Sequence, residues 1–135
     1  MKTMNSLKKT VIILFASFIV ACGAETVAAL IFLPAFAATW PDVNDDEHFI
    51  DLRPVGEDGE LESGAITGFE SHDSDPNKEG DLTGKFNGLN IEFTVERPNG
   101  NIKFTGKMTP ISDTDHTITK IELTSSEGVL VLGTE

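Results

Sequence analysis

The chain has 135 residues, with 22 acidic against 10 basic side chains for a formal charge of −12, and 39% of its residues are hydrophobic. A field of that sign repels nucleic acid and anionic lipid headgroups, which argues against a nucleic-acid partner. Cys22 is the only cysteine, so neither an intrachain disulfide nor a thiolate zinc site can be built and stability must come from an ordinary hydrophobic core.

At the amino terminus, Lys2, Lys8 and Lys9 precede an apolar run over residues 11–20 that ends at Ile19-Val20-Ala21-Cys22. A basic start, a short apolar segment and a small residue before the cut describe a secretory signal. The last four residues resemble the lipobox of bacterial lipoproteins. That resemblance implies cleavage before Cys22, acylation of Cys22 and residence in the cell envelope on a lipid anchor. Gly23, where the family's retention signal has Asp, implies the outer membrane if the host is Gram-negative. Two other tethers stay open. Ala35-Phe36-Ala37 has the small-x-small form of an ordinary signal-peptidase site. Residues 11–38 are also long enough to cross a bilayer uncleaved, although Glu25 near the middle would cost about 2.5 to 3.5 kcal/mol.

The expected organisation is a signal peptide over 1–21, an apolar tether or plug over 22–39 and one domain over 40–135. No acidic residue precedes Glu25, so from Cys22 onward 7 basic residues face 22 acidic ones, a formal charge of −15. Residues 27–38 are apolar where lipoproteins usually carry a polar linker, and Pro34 limits any helix there to a few turns. They are expected to lie in the membrane interface, plug the domain or cover one of its ends.

Beyond a charged lead-in over 42–47, the pattern is that of short alternating strands. Seven are expected, over residues 48–55, 60–71, 81–86, 89–96, 101–109, 117–124 and 129–133. In the clearest, Leu89, Ile91, Phe93 and Val95 alternate with Asn90, Glu92, Thr94 and Glu96, which puts the apolar set on one sheet face. Asn87-Gly88 is a strong hairpin turn, and Arg97-Pro98-Asn99-Gly100 marks the next. Ile118 and Ile121 lie an odd number of residues apart, so a bulge or late strand start is expected there. Gly64, Gly68, Gly84 and Gly106 inside strands suggest strong curvature.

Tight turns imply antiparallel neighbours, and a sheet with one apolar face must close or fold over to bury it. A small all-β up-and-down barrel is expected, with a two-sheet sandwich as the alternative. Ala38-Thr39-Trp40 and the repeats Leu82-Thr83-Gly84-Lys85-Phe86 and Phe104-Thr105-Gly106-Lys107-Met108 resemble the opening and strand texture of avidin-like and lipocalin-like barrels. That resemblance implies a closed barrel whose mouth could take a small ligand. The family's stacking aromatics are largely missing, because the chain has one Trp and no Tyr. Phe49, Phe69, Phe86, Phe93, Phe104 and Met108 are expected to fill the interior.

Site chemistry is sparse. Asp73, Asp75 and Asn77 have the opening spacing of a calcium loop, but Lys78 stands where that loop needs glycine and Gly84 where it needs a bidentate Glu; no metal or cofactor is expected. Glu60 and Glu62 are expected to be surface charge. His48, His72 and His116 fall in or beside expected loops, with no nucleophile at recognisable spacing. The sequence therefore points to a non-enzymatic envelope module acting through protein contacts, or to a small-ligand barrel, with Cys22 as the sole nominated site residue.

Overall fold

A computed structural model describes residues 31–133, and the compact unit that they form begins at Phe32. Cys22, the signal segment and most of the apolar tether lie outside the described residues. Eight antiparallel strands follow one another around a closed barrel. They are β1 (Ala38–Asp42), β2 (Asp45–Pro54), β3 (Ser63–His72), β4 (Gly80–Asn87), β5 (Asn90–Arg97), β6 (Gly100–Pro110), β7 (Ile118–Ser125) and β8 (Gly128–Gly133). The sandwich alternative fails because β1 also pairs with β8, closing the sheet on itself, and because the connection over residues 73–79, with one 3-10 turn over Pro76–Lys78, joins β3 to its direct neighbour β4.

Alternation explains most of the register. Leu82 and Phe86 of β4, Ile91, Phe93 and Val95 of β5, and Ile102, Phe104 and Met108 of β6 are all buried inside the barrel. Gly88 closes the β4–β5 turn at φ 58°, a left-handed conformation that favours glycine. The expected irregularity in β7 is a bulge: Thr109 pairs with Lys120 and Pro110 with Ile118, leaving Thr119 as the extra residue. At Gly106 a Cβ would overlap the Glu122 carbonyl oxygen of β7, so β6 and β7 approach there only because the side chain is absent.

Three expectations need correction. The barrel has eight strands rather than seven, because residues 38–42 form β1 ahead of the first expected strand and pair with β2, whose start lies in what was expected to be a charged lead-in. β3 starts at Ser63, which leaves Glu60 and Glu62 in the β2–β3 loop, where both are exposed. Phe49 and Phe69 do not fill the interior. Ile50 and Leu52 are fully buried on β2 and Ile66 on β3, and the two-residue period then turns Phe49 and Phe69 outward and His48, Glu70 and His72 inward.

Phe36 closes one end of the barrel. Its ring meets Phe86 edge-on at 5.0 Å, its N–H donates to Asp58 Oδ1 at 2.8 Å, and its carbonyl accepts from the indole N–H of Trp40 at 2.9 Å. Ala35 bridges to Thr117 beside β7. The outer wall is polar, with Thr, Lys, Glu and Asp at the outward positions of β4 to β7, the reverse of the apolar band of a membrane-spanning barrel. Among the described residues no helix is long and apolar enough to cross a membrane.

Candidate functional site

The end opposite Phe36 holds charge where the rest of the interior is apolar. Glu70 of β3 is 0% exposed, a position that a carboxylate takes only when paired. Arg97, at the end of β5, grips it side-on: Nε donates to Oε1 and Nη2 to Oε2, each at 2.7 Å. His48 of β2 lies on the other side, with Nε2 2.6 Å from Glu70 Oε2 and Nδ1 2.9 Å from Asp42 Oδ2. Arg97 Nη1 donates to Glu127 in the β7–β8 turn at 2.8 Å, and its guanidinium stands 5.9 Å from the Phe104 ring centre.

The result is a relay of alternating sign, Asp42, His48, Glu70, Arg97, Glu127, running from the end of β1 across the mouth to the β7–β8 turn. Both His48 nitrogens face carboxylates, which is the pattern of an imidazolium with two donors. Burial alone would lower the His48 pKa, but the hydrogen bonds and charges of Glu70 and Asp42 outweigh it and raise the value. For Glu70, burial works upward, and the hydrogen bonds of His48 and Arg97 hold it below the ordinary carboxylate value instead. Glu70 raises the Arg97 pKa further, with Glu127 adding to it.

These directions set a pH window. The contribution of Glu70 is complete above the ordinary carboxylate pKa and is lost as pH falls through its lowered folded value. That of His48 is complete below the ordinary histidine pKa and is lost as pH rises through its raised folded value. Urea melts should therefore show maximal stability between about pH 4.5 and 6.5, with an alkaline decline that His48→Gln removes. A maximum above about pH 8 would contradict the imidazolium assignment.

Beside the relay, Asp45, Glu47 and His72 bring one ligand atom each within 4.8 Å of one another. The hydrogen bonds decide against a metal. His72 Nδ1 accepts from the backbone N–H groups of Ser74 and Asp75 at 3.1 and 3.0 Å, which places the ring proton on Nε2, where it donates to Asp45 Oδ2 at 2.8 Å. A metal on Nε2 would drive the proton to Nδ1, against two donors already aimed at it. The group is a clamp for the β3–β4 connection. Glu47 serves the same purpose by accepting from Ser74 Oγ at 2.6 Å, and Asp75 caps the 3-10 turn through Asn77 N–H.

A recess of about 190 Å³ opens at this end, lined by Asp42, His48, Arg97, Phe104, Glu127 and Leu130 among others. Sequence reasoning placed His48 and His72 in or beside loops and left Glu70 and Arg97 unnoticed. The signal was parity: Ile50 and Leu52 extended backward put His48 inside, and Ile66 extended forward does the same for Glu70 and His72. His116 stands apart near the Phe36 end, where Nδ1 accepts from Leu33 N–H at 3.0 Å. Comparisons of the chain with protein families, with curated proteins and with solved structures return no match.

Proposed function

We propose that this chain is an exported envelope lipoprotein, anchored through acylated Cys22, whose barrel acts without catalysis as an interaction module at its acidic end. The observation that carries this reading is the filled interior: Phe36, Phe86, Phe93, Phe104 and the Ile and Leu side chains occupy the barrel, and charged groups already paired with one another occupy its mouth. Pockets that enclose drug-sized ligands measure about 300 to 1,000 Å³, above the 190 Å³ of the mouth recess. Hollows of about 370 Å³ beside Ser63 and Asn87 and about 560 Å³ along the β1–β2 hairpin are open to solvent. The avidin-like or lipocalin-like alternative has the closed barrel and the mouth recess in its favour.

The β1–β2 hairpin, with Asp42, Asp45, Asp46 and Glu47, lies against the β3–β4 connection, with Asp73, Asp75 and Glu79, and Asp81 follows at the start of β4. Charge of that density steers a basic partner and makes its association salt-sensitive. A lysine-rich peptide should therefore raise the melting temperature of the full chain saturably at low salt and lose the effect at high salt. Ca²⁺ and small envelope metabolites should leave it flat. A saturable rise with either of these would indicate stoichiometric binding to the folded state and put the ligand-barrel or metal reading first.

Phe36 supports cleavage at Cys22 over cleavage after Ala37, because the later cut would remove a buried ring from the barrel end and leave Asp58 without two N–H donors. Cys22→Ser should abolish acylation and release the domain from the membrane fraction, since stable anchoring takes two or more acyl chains at about 0.8 kcal/mol per buried CH₂. A mutant that stays in the membrane pellet with its amino terminus intact would replace the lipid anchor with an uncleaved span.

A further inference from the structure

We propose that His48 is the pin of a pH-operated latch, and that loss of its proton releases Asp42 and loosens the seam at which the barrel closes. The seam is narrow. β1 and β8 share a single register pair, Asp42 with Leu132, supported by a hydrogen bond from Val43 N–H to the Val131 carbonyl at 3.0 Å. Every other neighbouring pair of strands is joined by five or more register pairs. The residue that makes the seam pair is also the one whose carboxylate is held by His48.

The direction of release follows from the two carboxylates. Neutral histidine keeps one N–H, so one of its nitrogens must present a lone pair to an oxygen 2.6 or 2.9 Å away. Glu70 is fully buried and cannot turn to water, whereas Asp42 stands at the rim with Oδ1 accepting from Asn44 N–H. The remaining proton therefore stays on Nε2 against Glu70, and the Nδ1 lone pair expels Asp42. Besides these two carboxylates, the groups facing His48 are His72 of β3, at a ring separation of 5.8 Å, and Asp45, which His72 holds. Arg97 of β5 acts on His48 only through Glu70. Asp42 and His48 both line the mouth recess, so the released edge opens that recess toward Phe104 and Leu130.

The latch goes beyond the proposed function and stands without it. The test uses the full chain in detergent micelles, following the assigned His48 ring resonances by NMR and the amide exchange of Val43 corrected for intrinsic rate. Val43 protection should fall at least tenfold in step with His48 deprotonation, while amides at the centre of the β5–β6 pairing keep theirs. Asp42→Asn should remove this pH dependence, because a neutral amide can donate to the Nδ1 lone pair. His48→Gln should leave Val43 poorly protected at every pH. Val43 protection that is constant through the His48 titration, or that falls equally in Asp42→Asn, would overturn the latch.

Discussion

Glu70→Ala is expected to destabilise the barrel by about 3 to 5 kcal/mol, the range for removing one partner of a buried ion pair. The loss is large because both cations stay behind. Arg97 would keep its side chain 8% exposed with only Glu127 to hold it, and His48 would face an apolar gap where it had a hydrogen bond. Replacing the buried centre as a unit, with His48→Leu, Glu70→Leu and Arg97→Met together, is expected to leave stability unchanged or raise it by about 1 to 4 kcal/mol, because well-packed apolar groups avoid the desolvation of three charges. Denaturant melts of the two proteins decide the matter. A Glu70→Ala cost below about 1 kcal/mol, the usual worth of an exposed pair, would mean that the relay is not buried as described.

That contrast bears on why the relay exists. If an apolar mouth is at least as stable, the charges are retained for what they do when pH changes or a partner arrives, which is the behaviour expected of the His48 latch and not of a structural tie.

The architecture was legible where alternation is strict and turns are short. Leu89 to Val95 and the Asn87-Gly88 turn place β4 and β5 without ambiguity, and the odd spacing of Ile118 and Ile121 marks the bulge at Thr119. β1 was hidden because five residues, one of them Pro41, make too short a run to show a period. The relay was hidden for a different reason. In Gly68-Phe69-Glu70, hydrophobicity alone puts the ring inside and the carboxylate outside, and the observed arrangement is the opposite. What reverses it is Arg97, 27 residues away, a partner that becomes visible only once β3, β4 and β5 are set side by side. Cooperative pairing across strands cannot be read from one strand at a time.

Phe93→Ala should cost about 3 to 5 kcal/mol, the usual range for truncating a buried Phe, while Phe69→Ala should change stability by less than about 0.5 kcal/mol, as at an ordinary surface position. Composition does not separate these two residues, since each is a phenylalanine inside a strand with a glutamate directly beside it. Position in the pleat does. Phe93 is 1% exposed, its ring packs on Phe104 at 5.3 Å, and opposite it Gly84 has no Cβ, which would otherwise overlap the Glu92 carbonyl oxygen. Its cross-strand partners are Gly84 and Phe104, and a methyl group cannot fill the space that the ring would vacate between them, so a cavity term adds to the transfer term. Phe69 is 41% exposed on the outer wall and loses contact mainly with water. Urea melts giving equal losses for the two would mean that β3 is shifted by one residue against β2 and β4, a slip that would also carry Glu70 out of reach of Arg97.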